Sequence, residues 1–344
     1  DGTTVHLKTY ISKLEHTYDI IDVPDPGTPA FSVGDLTDPG VVRASSDEET
    51  FLKGKPIRNG CGSLLYAATT VRPDIAHRVG LIARRVSNPL KIHWEAILRC
   101  LAYLKHTPTR GLYYTKNCLH PPGELVAAVD SDWAGDKAER HSTAGGLVWW
   151  MGSPISWFSL KEKVIALSSC EAEYIALSLL VRDVIHLRLL LSELGFPQLK
   201  PTVVFIDSKS AFDLAHDAKF RKRSKHIDIQ YHYVREAIAH GYITLRWLKG
   251  TANPADLMTK DLTHKIYKFH LNEIMWDLDQ RPVVQEEGHT LASEPPWYSE
   301  ASEHADSWAT DTADTPQVYL DGAHRVTDTP TPPHKRLRVQ FSEN

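Results

Sequence analysis

Cysteine is scarce in this chain. Its 344 residues include only Cys61, Cys100, Cys118 and Cys170. No pair has the Cys-x-x-Cys spacing of zinc ribbons and dithiol redox centres, so neither motif is supported. Reduced thiols of an intracellular protein are the expectation. Long apolar runs are missing too: none reaches the roughly 18 residues that signal a membrane helix, so no span is expected. A charged-then-apolar secretory leader is absent, and the chain starts at Asp1 rather than Met. It therefore reads as a fragment or processed piece of a longer product.

Excess charge of one sign is also lacking. With 39 basic and 43 acidic side chains, the net charge is −4. That balance is uneven along the chain. Residues 1–123 carry 15 basic and 12 acidic groups, residues 124–262 carry 17 of each, and residues 277–344 carry 5 and 13. The acidity belongs to the last segment, and the remainder is mildly basic. Net charge alone therefore decides nothing about nucleic-acid binding.

The stretch Leu167-Ser-Ser-Cys-Glu-Ala-Glu-Tyr-Ile-Ala-Leu177 is the most informative feature present. Ser168 and Glu171 have capping-box spacing, which makes Ser168 the N-cap and Glu171 the third helical residue. Glu173 has no such structural role. At helical spacing it lines up with Ala176, Leu177, Leu180, Val184, Leu187 and Leu191, the apolar stripe of the helix. A carboxylate at the end of a buried stripe is costly unless a cation meets it. Asp130 ends the apolar run Leu125-Val-Ala-Ala-Val-Asp130, and Asp207 ends Val203-Val-Phe-Ile-Asp207. Asp256 sits in Asn253-Pro-Ala-Asp256, where Asn253 can cap a helix and Pro254 suits its first position. Acids at strand ends and helix starts can converge at one sheet edge. With no basic residue expected among them, their repulsion calls for divalent cations, and an all-oxygen site suits Mg²⁺ or Mn²⁺.

Strands are predicted near 125–131, 143–150, 154–160, 202–207 and 242–248. Helices are predicted at 169–194, from 208, at about 225–240 and from 254. Gly195 and Gly241 end two of them. Strands first, then strands alternating with helices, give an α/β fold with a mixed sheet. Trp149, Trp150, Trp157 and Phe158 are expected to pack on that sheet rather than stack on bases. Before it, residues 5–14 and 55–116 read as helical. After it, residues 281–344 are rich in Thr, Pro, Ser and acids with little apolar periodicity, and read as disordered.

These flanking sequences resemble the ribonuclease H domain of Copia-type retrotransposon Pol polyproteins. The resemblance rests on Val129-Asp-Ser-Asp-Trp-Ala-Gly-Asp136, Arg140-His-Ser-Thr-Ala-Gly-Gly146, Ile155-Ser-Trp157 and Ala166 to Leu177. It continues through Ile206-Asp-Ser-Lys-Ser-Ala211, Arg223-Ser-Lys-His-Ile-Asp-Ile-Gln-Tyr-His-Tyr-Val-Arg-Glu236 and Ala255-Asp-Leu-Met-Thr-Lys260. Arg72-Pro-Asp-Ile-Ala76, Ser87-Asn-Pro89, His93-Trp-Glu-Ala96 and Tyr103-Leu-Lys105 resemble the C-terminal end of the reverse transcriptase and its connection. No Asp-Asp pair occurs, so no Tyr-x-Asp-Asp polymerase site is present.

The resemblance implies a ribonuclease H-like fold over 124–262. It further implies a thumb- or connection-like segment over 1–123, a helical extension over 263–280 and a tail over 281–344. It implies a two-metal endoribonuclease cutting the RNA strand of RNA–DNA hybrids, with Asp130, Glu173, Asp207 and Asp256 as catalytic acids and metal ligands for two Mg²⁺ or Mn²⁺ ions. In the family, the acid matching Asp130 bridges both ions. The acid matching Asp256 belongs to the water-activating ion, and those matching Glu173 and Asp207 to the leaving-group ion. The implied partners are the hybrid and the reverse-transcriptase palm and fingers of the same polyprotein, with no membrane. Arg221, Lys222, Arg223 and Lys225 are candidate phosphate contacts. The implied location is the cytoplasmic virus-like particle, with a nuclear alternative on the weak basic pattern Pro333-His-Lys-Arg-Leu-Arg338. Cellular ribonucleases H have Lys-Gly-His after the last strand; Lys249-Gly-Thr251 here lacks that His. A catalytically silent connection module that binds nucleic acid is the alternative reading. An integrase is rejected, because Tyr242 stands where its glutamate is expected.

Overall fold

The structure, a computed structural model, describes residues 2–30, 36, 45–115, 123–136, 139–216 and 225–277. The expected tail over 281–344, Cys118 and the basic residues Arg221, Lys222 and Arg223 lie outside the described residues, as does the side chain of Lys225.

In chain order, β1 (Gly2–His6) leads to α1 (Lys8–Tyr18), α2 (Ser46–Leu52), α3 (Ile57–Thr70), α4 (Ala76–Arg84) and α5 (Lys91–His106). Strands β2 (Arg110–Thr115), β3 (Val126–Asp132), β4 (Thr143–Trp150) and β5 (Ser153–Lys161) follow. Then come α6 (Ser169–Glu193), β6 (Thr202–Ile206), α7 (Lys209–His216), α8 (Lys225–Ala239), β7 (Ile243–Trp247), α9 (His264–Ile274) and β8 (Trp276–Asp277). Single 3₁₀ turns occupy Pro73–Ile75, Gly250–Ala252 and Pro254–Met258. No helix among the described residues is long and apolar enough to cross a membrane.

The main sheet has the order β5-β4-β3-β6-β7. β3, β4 and β5 form an antiparallel meander, and β6 and β7 run parallel to β3. This mixed sheet, with α6 to α8 after the meander, is the ribonuclease H-like fold that the motifs implied.

Side-chain alternation explains the unbroken apolar run of β3. Val129 and Ala127 face a core with Leu177, Leu180, Val184, Val234 and Ala237 of α6 and α8. Val126 and Ala128 face the other way, into a core with Leu64, Ile97, Leu101 and Met258. The central strand is buried on both faces, so it reads as continuous hydrophobic sequence. The N-terminal helices supply its second cover. Trp149 is fully buried in that second core, and Trp157 packs against it while its Nε1 donates to the Ala68 carbonyl at 2.7 Å. Both indoles thus act in packing, as expected. Arg78 Nη1 meets Asp261 Oδ2 at 2.9 Å, tying α4 to the segment after the last 3₁₀ turn.

Three local expectations are corrected. The helix expected over 5–14 starts only at Lys8 and runs on to Tyr18, because Thr3-Thr4-Val5 suits a strand and pairs with Leu112-Tyr113-Tyr114. The helical reading of 55–116 fails at its end for the same pairing: residues 110–115 are β2, in a small sheet of order β1-β2-β8. The helix expected from 254 is a 3₁₀ turn ending at Met258, and the regular helix begins only at His264.

Candidate active site

The sheet brings Asp130 and Asp207 together because β3 and β6 are parallel neighbours, with Val129 paired to Ile206. Both acids therefore stand at the same edge. Glu173 reaches that edge from the second turn of α6, whose start is fixed by Ser168 accepting the Glu171 amide at 3.2 Å. The Glu171 carboxylate bonds the amide of Leu167 at 3.0 Å. It thus caps one residue earlier than the expected reciprocal box, and it keeps its capping role. Asp256 is delivered by the 3₁₀ turn. Asn253, fully buried, accepts from the Ala255 amide at 3.1 Å and donates to the Val129 carbonyl at 2.9 Å. One side chain both caps the turn and staples it to β3 next to Asp130.

Gly145 on β4 makes that approach possible. It pairs with Asp130, and a Cβ there would stand 2.6 Å from both Met258 Cβ and Thr259 Cγ2. The small residue lets the chain after Asp256 lie directly on the sheet.

Oxygens of Asp130, Glu173 and Asp207 lie within 4.8 Å of one another. Asp130 is 1% exposed and Glu173 8%. Glu173 Oε2 is buried and makes no hydrogen bond. Such an orphaned carboxylate oxygen facing two further acids fits a bound cation. Asp256 is joined to Asp130 through Lys260. The Lys260 ammonium is 2.8 Å from Asp256 Oδ1 and 3.2 Å from Asp130 Oδ1. Thr259 Oγ1 donates to Asp130 Oδ2. The expectation that no basic residue attends these acids is therefore corrected. Lys260 sits four residues after Asp256, a spacing that brings side chains together on a helical turn. Thr259 and Lys260 close the motif that begins at Ala255, but sequence reasoning missed their roles. The spacing from Asp256 was the available signal for Lys260, whereas nothing in the sequence marked Thr259.

The electrostatics follow from crowding and burial. Desolvation, then the charges of Asp130 and Asp207, raises Glu173 well above the carboxylate range. Desolvation and Asp130 push Asp207 up to about 7 against the opposing Lys260. Asp256 rises to about 6 from desolvation and Asp130, again opposed by Lys260. Lys260 loses by desolvation but gains more from Asp130 and Asp256, so it stays firmly protonated. A group of carboxylates this hard to ionise together can bind a divalent cation in exchange for protons.

No protein-family model matches the chain. The retrovirus-related Pol polyprotein from transposon TNT 1-94 of Nicotiana tabacum is 41% identical over 208 residues, 60% of this chain and 15% of that polyprotein. The retrovirus-related Pol polyprotein from transposon RE1 of Arabidopsis thaliana is 33% identical over 252 residues, 73% of this chain and 16% of that polyprotein. The chain thus spans about one-sixth of the length of these relatives. Among solved structures, the N-terminal ribonuclease H domain of a Mycobacterium tuberculosis protein, fused to maltose-binding protein, aligns at 15% identity and a TM-score of 0.31. That alignment covers 42% of this chain and 96% of the other. At 33–41% identity to these plant transposon polyproteins, this chain belongs to the Copia-type retrotransposon Pol polyproteins and corresponds to their C-terminal reverse-transcriptase and ribonuclease H region.

Proposed function

We propose that this chain is a divalent-metal-dependent endoribonuclease that cuts the RNA strand of RNA–DNA hybrids during retrotransposon reverse transcription. The observation that carries this reading is the trio Asp130, Glu173 and Asp207 within 4.8 Å, with Glu173 Oε2 buried and unpartnered. Asp130, Glu173, Asp207 and Asp256 would hold Mg²⁺ or Mn²⁺, which when bound supplies Lewis-acid activation for phosphodiester hydrolysis. The chain's own residues do the rest. Asn253 and Gly145 fix Asp256 beside Asp130. Thr259 holds one oxygen of Asp130 and so sets its orientation. The raised carboxylates release their protons as the ion binds.

The hybrid is chosen over other duplexes because a 2′-hydroxyl and duplex shape distinguish its RNA strand. Residues 1–123 act as the end of the reverse transcriptase and its connection, and 124–262 as the nuclease, with the palm and fingers of the same polyprotein as partner. The basic cluster around Arg221, Lys222, Arg223 and Lys225 follows the phosphates in this reading.

The test is cleavage of a labelled hybrid by the full chain. Mg²⁺ and Mn²⁺ should support cutting of the RNA strand, with single-stranded RNA and duplex DNA left intact. Ca²⁺, with its larger and looser coordination, should allow binding with little cutting. Undiminished cleavage in excess chelator refutes the metal dependence. No cleavage with either metal favours a silent connection module.

A further inference from the structure

The four acids do not share one environment. On one side of Asp130, Glu173 and Asp207 converge, and Glu173 Oε2 has no hydrogen-bond partner. Between Asp130 and Asp256, by contrast, one ammonium already spans the pair, at 3.2 and 2.8 Å. We infer that Lys260 is a resident cation on the Asp130–Asp256 side, which a divalent ion must displace, so that the two sides fill in order. The side of Asp130, Glu173 and Asp207 fills first; the side of Asp130 and Asp256 fills second. This rests on the metal-binding reading above and adds to it an order and the residue that imposes it.

The physical basis is competition for the same oxygens. An ammonium and a divalent ion cannot both sit against Asp130 Oδ1 and Asp256 Oδ1, because like charges so close repel strongly. Lys260 is also able to leave. Its side chain is 36% exposed and ends a flexible four-carbon stem. It borders a cavity of about 800 Å³, which gives the displaced ammonium room to move. Asp130 does not lose its anchor when Lys260 moves, since Thr259 holds its other oxygen. Before the ion arrives, the ammonium offsets the repulsion between Asp130 and Asp256 that their burial would otherwise magnify.

The experiment is a Mn²⁺ titration of the full chain without nucleic acid, with free Mn²⁺ followed by electron paramagnetic resonance. The wild-type chain should bind one ion, then a second at least about tenfold more weakly. Lys260→Met and Lys260→Gln should tighten the second ion by on the order of tenfold, and more than the first, since each removes one competing charge from a half-buried site. Lys260→Arg, which keeps the charge, should preserve the wild-type gap. Asp256→Asn should abolish the second ion and spare the first. A lysine that merely props up the site would give the opposite sign, because its loss would weaken both ions. An unchanged or weaker second ion in Lys260→Met and Lys260→Gln overturns the inference. Two equal ions in the wild type also overturn it while leaving the metal site standing. No bound Mn²⁺ in the wild type overturns both.

Discussion

Replacing Asp207 with asparagine should stabilise the ion-free protein while removing its response to metal. Burial and the charge of Asp130 hold Asp207 at about 7 in the folded chain, against 3.8 for an unperturbed Asp. At pH 4 the group is protonated when folded and partly so when unfolded, and the two states differ little. As pH rises to 7 the unfolded chain ionises it freely while the folded chain resists, so stability falls; above pH 7 the penalty is constant. About three pH units at about 1.36 kcal/mol each give a full penalty of about 4 kcal/mol. The substituted amide would fill nearly the same volume and never ionise. At roughly 2–4 °C per kcal/mol for a domain of this size, Asp207→Asn should melt on the order of 10 °C above wild type at pH 8 in chelator. At pH 4 the gap should shrink to about 2 °C. Adding Mn²⁺ at pH 8 should raise the wild-type melting temperature and leave the variant where it was. The assay is a pair of melting curves at each pH, with chelator and with Mn²⁺. A variant that melts at or below wild type at pH 8 in chelator refutes the reasoning, because it would mean that the ionised carboxylate makes a favourable contact without metal.

Arg72→Ala should cost about 3–5 kcal/mol, read as a drop in denaturation midpoint, because it strands Asp74 in a pair whose side chains are both fully buried. Trp157→Phe keeps an aromatic ring but removes the indole N–H and leaves the Ala68 carbonyl without its donor; at least about 1–2 kcal/mol should be lost in urea unfolding. Gly145→Ala should cost about 1–3 kcal/mol and weaken Mn²⁺ binding, since the new methyl meets Met258 and Thr259 at 2.6 Å and pushes Asp256 off the sheet.

Much of the nuclease-like half was legible because its periods are clean. β3 reads as a strand from Leu125 to Asp130, and α6 separates capping Glu171 from Glu173 by phase alone. That Asp130 and Asp207 meet at one sheet edge was implied by the resemblance and by acids at two strand ends; the parallel pairing of β3 with β6 that achieves it was not. What sequence could not carry was contact between distant segments. Asn253 as a cap was readable; its bond to the Val129 carbonyl, 124 residues away, was not. Gly145 shows its purpose only when Met258 and Thr259 lie on it. At the N-terminus, Val5 to Leu14 mixes apolar residues at helical spacing with a strand edge, and only the pairing with β2 decides between them. Nor does any pattern announce that α3 to α5 cover the second face of the sheet, where Leu64, Ile97 and Leu101 meet Val126 and Ala128.

The central claim is that the acid cluster at this sheet edge cuts hybrid RNA, and the sharpest comparison is between two glutamates of one helix. In Mg²⁺, Glu173→Gln should lower the rate of RNA-strand cleavage by on the order of 100-fold, because it removes charge from the cation site. Glu171→Gln should cut at nearly the wild-type rate, because its neutral amide oxygen can still accept from the Leu167 amide. Equal activity of the two variants, or a dead Glu171→Gln beside an active Glu173→Gln, would contradict the account.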